Sequence, residues 1–343
     1  MSGPASEISL LTFSEFGDTT ERRFLEGENL IDDLAAAKSL YQVENIPRGT
    51  GDRRVYKEVD TETYASYKAE GADATKKQVV TGWEKTMSVR RFAAEIDITY
   101  EARNYGKNQE ILKKLTSLAT FCPQRMALDL THRFTFATAT SYTDLDGETV
   151  DISMGYTTTT ALVDGTHDLT GSATTYNNVI TGNPAFSQGG FEVALEITNT
   201  QILSNFAERR IFPMSSWKIV TGDDPSTCRQ VQQLLNSMAD VTGSHEGIVN
   251  VYKNYMSHVK LPRMATTATG AYNSAKKTYW GLVAAGEWNG YLGIWEEAHL
   301  KKPAPGNNGE DLHNDNWTFG ARCGYGVTVV AGRGVVWSTG VGA

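Results

Sequence analysis

A chain of 343 residues, 40% of them hydrophobic, can hold one large domain or two to three smaller ones. Lys and Arg total 32 against 40 Asp and Glu, a formal charge of −8. That balance argues against a nucleic-acid grip, which needs clustered cations, though not against a wall around nucleic acid.

Cys122, Cys228 and Cys323 show neither metal-ligand spacing nor a disulfide framework, so a reduced, intracellular setting is expected. Residues 1–10 lack the basic start and apolar core of a signal peptide. No run of about 20 apolar residues is present to span a membrane. Residues 1–40 carry eight acidic side chains against three basic ones. Gly3, Pro4, Gly17 and Gly27 punctuate them, and only Asn29–Leu40 has a helical pattern. The segment reads as a partly ordered tail or as an arm lying across a partner. On the second reading Asn29–Leu40 orders only on assembly.

Residues 51–90 hold eight basic and seven acidic side chains. Val55, Lys57 and Val59 alternate with Tyr56, Glu58 and Asp60, as a strand requires. Lys76–Met87, with Val79, Val80 and Trp83, reads as the returning strand, and Glu70-Gly71-Ala72-Asp73 as the tip. A lone two-stranded hairpin is marginal in water and exposes unpaired backbone at both edges. It is therefore expected to be completed from outside itself; a solvated loop insertion is the plainer alternative.

Phe92, Ala94, Ile96 and Ile98 then fall on one face of a half-buried strand. Asn108 caps a helix expected over residues 108–138. Ile111, Leu112, Leu115, Leu118 and Cys122 recur at helical spacing, and Met126, Leu128, Leu130, Phe134 and Phe136 resume it. Between them Pro123 predicts a bend, or a break into two helices.

Residues 140–190, rich in Thr, Ser, Gly and Asn, read as loops and short strands. A helix is expected over Phe191–Ala207 and a strand over Trp217–Thr221. Asp224 and Pro225 open a further helix striped by Cys228, Val231, Leu234, Leu235 and Met238. Strands are expected near His258–Leu261, Thr278–Ala285 and Trp317–Gly320, with a short helix over Trp288–Leu300. Val327–Val330 and Val335–Ser338 end the chain as strands parted by Ala331–Gly334. The fold class is α+β.

Motifs with chemistry are few. Asp144–Glu148 resembles a fragment of a calcium loop, but the further ligand positions are missing and a hairpin turn suits Asp146-Gly147 better. Gly324-Tyr325-Gly326 suits a close-packed strand rather than a phosphate loop. Glu287, Glu296 and Glu297 beside Trp288 and Trp295 are a candidate sugar site with paired carboxylates. Carboxylates on the solvent face of a helix are the plainer reading. The six histidines are scattered, and no G-x-S-x-G element appears. No catalytic, cofactor or metal residue is assigned. Lys76-Lys77, Arg90-Arg91 and Arg209-Arg210 are short, separate clusters that suit interface or solvated charge.

The order of these parts resembles a tailed-phage major capsid (coat) protein, the fold shared with encapsulin shells. On that resemblance the chain divides into an N-terminal arm (1–48), an extended β-hairpin loop (49–88), and a peripheral domain with a long spine helix and a loop insertion (89–189). An axial domain (190–320) and C-terminal strands returning to the peripheral domain (321–343) complete it. Pro123 in the spine and the elaborated stretch 140–185 depart from the pattern.

The resemblance implies self-assembly into hexamers and pentamers of an icosahedral shell enclosing double-stranded DNA. It also implies a virion location after assembly in a host bacterial cytoplasm, with DNA held only non-specifically. Scaffold, portal and decoration proteins are further partners it allows; it implies no cofactor, no membrane and no enzyme activity. Inter-subunit contacts are expected at Arg53, Arg54, Lys57, Glu58, Lys76 and Lys77. No Lys–Asn–acid trio marks the covalent lock some members use. Two alternatives stand beside it: an encapsulin-like nanocompartment shell, and a soluble carbohydrate-active enzyme using Glu287, Glu296 or Glu297.

Overall fold

A computed structural model describes residues 32–47, 49–62, 64–105, 108–155, 160–238, 249–302 and 316–341. The acidic stretch 1–31, expected to form most of the arm, lies outside them. Helix α1, Asp32–Lys38, keeps the last part of the expected first helix. Leu34, Ala37 and Leu40 are buried in the chain's own core, so this stretch is already packed without a partner. Strand β1, Gln42–Asn45, follows and is too short to show in the sequence pattern.

Strands β2, Arg53–Thr61, and β3, Val79–Ser88, form the expected antiparallel hairpin. In β4, Arg90–Ile98, the positions Phe92, Ala94, Ile96 and Ile98 alternate inward as expected. A short helix α2, Tyr100–Asn104, leads to α3, Asn108–Thr135, whose 28 residues run through Pro123 without a break. The two-helix alternative is therefore wrong. Thr116, Ser117, Thr131 and Thr135 donate their hydroxyls to carbonyls one turn earlier, which settles polar groups inside the helix.

Two small hairpins follow: β5, Ser141–Thr143, with β6, Thr149–Asp151, and β7, His167–Leu169, with β8, Ser172–Tyr176. Asp144 Oδ1 accepts from the backbone N–H groups of Asp146 and Glu148, which closes the first as a turn. Helix α4, Gln188–Thr200, starts earlier and ends sooner than expected. Ser187 caps its start, and residues 201–210 fold back on themselves through the Arg210 N–H to Ile202 O bond.

Strand β9, Trp217–Thr221, and helix α5, Pro225–Asn236, are as expected, with Asp224 accepting from Thr227 N at 2.9 Å. Met238 lies past that helix and is exposed rather than part of its stripe. Strands β10, Ser257–Lys260, and β11, Trp280–Ala284, precede β12, Gly290–Lys301. This last strand corrects the expected helix over Trp288–Leu300. Tyr291, Ile294 and Trp295 favour an extended chain, and pairing with β1 outweighs the helical preference of Glu-Glu-Ala. The end of the chain forms β13, Trp317–Val329, a single long strand where two short ones were expected, and β14, Val335–Ser338.

The chain divides into two compact units. One comprises Met1–Asp32, Arg91–Met126 and Glu296–Gly324. Within it the ends of β12 and β13 and strand β4 lie side by side in that order. Ile98, Ile111, Leu115, Leu118, Phe319 and Cys323 are among its buried residues, and the Arg125 guanidinium sits 5.0 Å over the Phe92 ring.

The other unit comprises Asp33–Arg90, Ala127–Trp295 and Tyr325–Ala343. Its sheet has the order β10-β9-β11-β14 and packs on Phe186, Phe191, Val231 and Leu234. Tyr41, Phe134, Trp288 and Trp337 form a second aromatic group with ring centroids 5.2–5.9 Å apart. Tyr41 Oη donates to Leu130 O and Trp288 Nε1 to Leu40 O, which satisfies two of the buried donors, while Trp337 Nε1 meets no hydrogen-bond partner among the described residues.

Gly281 in β11 lies directly against β14. A β-carbon there would stand 2.2 Å from Trp337 Cε3 and 2.4 Å from Val336 O. Gly281→Ala is expected to cost about 1–3 kcal/mol of stability by overpacking. Gly165→Ala, which meets nothing within 4 Å, should stay within about 0.5 kcal/mol of the parent. Equal urea midpoints for the two variants would refute the close approach.

Candidate interaction site on the charged hairpin

The hairpin has two unlike faces. Arg54, Tyr56, Glu58 and Asp60 of β2 turn inward, and Arg53, Val55, Lys57, Val59 and Thr61 turn outward. The inner face is bound by its own chain. Arg54 Nη1 and Tyr56 Oη both donate to the Glu44 carboxylate, and the Tyr56 ring stacks on Tyr291 at 4.3 Å. Burial and the Glu44 hydrogen bond hold the Tyr56 phenol well above the usual tyrosine range. On β3, Lys85 donates to Ser153 O and pairs with Asp151 at 3.2 Å. Burial lowers the Lys85 pKa, and Asp151 opposes that.

At the centre of this face lies a buried ion network. The Arg333 side chain is 1% exposed and reaches Glu58 Oε1 at 3.0 Å and Asp60 Oδ2 at 2.8 Å. Its other terminal nitrogen donates to Asn205 Oδ1 at 2.5 Å, and Tyr176 lies under the guanidinium plane, its ring centroid 5.9 Å away. Arg210 adds a second cation 3.5 Å from Asp60, and Asn289 donates to Glu58 at 3.2 Å. The β2–β3 ladder slips here, with Lys57 facing Glu84 and Val59 facing Thr81. Gly82 and Trp83 stand opposite Glu58 at this bulge. Burial raises the Glu58 pKa, with Arg333 and Arg210 working against it.

The expected contact residues separate accordingly. Glu58 is taken up inside its own chain, and Arg54 is half-buried against Glu44. Lys57 pairs across the hairpin with Glu84 at 2.8 Å on the exposed face, and Lys77 pairs with Glu62 at 2.8 Å. Arg53 and Lys76 are exposed. Exposed with them are Val55, Val59, Tyr64 and Val79, and Tyr67 at 92%. Sequence reading missed Glu44, Asn205, Asn289 and Arg333. The one local signal was Arg333 itself, a lone cation between two apolar terminal strands.

The candidate sugar site does not assemble. Glu296 and Glu297 are neighbours on a strand rather than on a solvent-facing helix, and so point to opposite faces. Glu296 is buried and held by Arg322 at 3.1 Å, while Glu287 belongs to the other unit. Among the described residues no group of three His, Cys, Asp or Glu is placed to hold a metal, and no helix is long and apolar enough to cross a membrane.

No protein-family model matches the chain, and no curated protein matches it. Among solved structures it is similar to the capsid of the cyanophage P-SCSP1u, with 13% identity and a TM-score of 0.48 over 87% of this chain and 86% of that chain. It is similar to the capsid of an empty GTA particle, with 10% identity and a TM-score of 0.46 over 89% of each chain. A virus-like particle from Pyrococcus furiosus shares 11% identity and a TM-score of 0.45 over 94% of this chain and 98% of that chain.

Buried and exposed ion pairs on the hairpin should differ sharply in worth. Arg333→Met removes the buried cation that Glu58 and Asp60 share and is expected to cost about 3–5 kcal/mol. Lys57→Ala removes an exposed pair and is expected to cost less than about 1 kcal/mol. Denaturant unfolding of both variants measures the contrast, and similar costs would undo the assignment of the root.

Proposed function

We propose that the chain is a major capsid protein, a structural subunit that builds a closed shell from copies of itself and has no catalytic role. One observation carries the reading. The hairpin is mounted firmly on its own chain by its inner face, yet its outer face presents Val55, Val59 and Val79 to solvent. A two-stranded ribbon with open edges and apolar outward residues is a template for pairing. A second copy is the partner that every subunit is certain to meet.

On this reading the outer face of residues 49–88 lies on a neighbour, with Arg53, Arg54, Lys57, Lys76 and Lys77 at or near the contact. Glu58 acts indirectly, by holding the hairpin in place. Helix α3 is the spine of the peripheral domain (89–189), residues 190–320 form the axial domain, and residues 321–343 return to the peripheral domain. Residues 1–48 include the arm. Hexamers and pentamers then close an icosahedral shell around double-stranded DNA, with each obligate interface burying roughly 2,000 Å² or more. The charge of −8 keeps the shell from gripping its contents. Scaffold, portal and decoration proteins are proposed as further partners, and the virion, built in the bacterial cytoplasm, as the location.

Negative-stain microscopy and sedimentation of the purified protein test this. The parent is expected to form closed shells or rings. The Val55→Asp/Val59→Asp variant is expected to remain subunit-sized with an unchanged melting temperature. Arg53→Glu/Lys57→Glu should weaken assembly most at low salt. Normal shells from the Val55→Asp/Val59→Asp variant would remove the hairpin from the interface.

A further inference from the structure

The network under the hairpin contains a mismatch that simple bracing does not require. Glu58 Oε2, Asn205 Nδ2 and Arg333 Nε are buried with no hydrogen-bond partner among the described residues. Gly82 packs tightly over two of them. A β-carbon at that position would lie 2.8 Å from Glu58 Oε2 and 2.9 Å from Asn205 Nδ2. One oxygen of the carboxylate is therefore shut away from water and met by no donor. Arg333 and Asn289 meet only the other oxygen, so half of the carboxylate lacks a donor, and burial of that kind favours the neutral carboxyl.

The groups facing Glu58 come from five stretches of chain, Tyr176 of β8 among them. Asp60 shares its strand, and Asn205 and Arg210 come from the fold-back after α4. Asn289 and Tyr291 come from the start of β12, and Arg333 from the turn before β14. Asp60 holds Arg333 at 2.8 Å by a contact that does not involve Glu58, so the cation has an acidic partner besides Glu58.

We propose that Glu58 is a proton-operated latch: its neutral form seats the root of the hairpin on the body of the subunit, and its ionisation loosens the root. This holds whatever covers the outer face. Burial, the largest influence, holds the carboxyl above the ordinary glutamate range, while Arg333 and Arg210 pull it down. The seated carboxyl thus takes a proton more readily than a released one. Seating is strongest below the ordinary glutamate pKa, weakens as pH rises toward the raised value, and has lost the contribution above it.

Hydrogen exchange of the full-length protein between about pH 5 and pH 8, corrected for intrinsic rate, reads the latch. Strands β9 and β11 of the same unit serve as the reference. Protection of β2 and β3 relative to that reference is expected to rise severalfold as pH falls. In Glu58→Gln it should be flat and close to the parent's acid level. A flat profile in the parent, or the parent's slope in Glu58→Gln, would overturn the proposal. If the Gln variant fails to fold, the carboxyl ¹³C titration of Glu58 in the parent decides: a midpoint at or below the ordinary glutamate value rejects the latch.

Discussion

The burial of one guanidinium constrains much of this molecule. Arg333 cannot lose its proton and cannot be left unpaired inside a protein. Its place before β14 therefore dictates what must surround it. Two acids come from β2, an amide from the fold-back after α4, and an aromatic face from β8. The hairpin rests on the body of the chain through the Tyr56–Tyr291 stack and the buried Met87 as well as through polar groups. Its centre is a set of polar groups gathered on the Arg333 guanidinium. That accounts for a two-stranded ribbon, marginal by itself, having a defined inner face and register.

What the sequence disclosed and what it hid follow from the same distinction between local and distant causes. The hairpin, β4, the unbroken spacing of α3 and the Asp224–Pro225 start of α5 were legible because each rests on neighbours a few residues away. Strand β12 was not. Glu-Glu-Ala reads as helix, and the partner that makes it a strand is β1, far back in the chain. The candidate contact residues were legible as a charged ribbon but not as two faces. Alternation put Glu58 beside Tyr56 and Asp60, but only the fold shows which side is covered. Nothing near Glu58 announces Arg333, and nothing near Arg333 announces Glu58.

The exposed side of the ribbon looks designed against accidental pairing. Lys57 and Glu84 face one another between Val55 and Val59, and those two valines stand opposite Thr86 and Thr81 of β3. Charge on an edge strand discourages indiscriminate stacking while leaving a partner with matching groups free to bind. A purely apolar face would aggregate before it assembled. A fully charged one would gain too little from contact, because exposed pairs contribute only about 0–1 kcal/mol each. The mixture suits a surface that stays apart from chance contacts until a matching one meets it.

Geometry then limits the kind of assembly. The inner face is occupied, so a partner reaches the ribbon only from outside. A ribbon bound on one side to its own subunit and on the other to a different surface makes a heterologous contact, in which donor and acceptor patches differ. Such a contact does not end with two copies. Each subunit that receives a hairpin still offers its own, and the series stops only where rotation closes it into a ring or shell. In the proposed capsid, the angle at which the ribbon leaves its subunit helps set that closure. On that proposal, the buried groups at its root, though they lie away from the contact, help set the size of what is built.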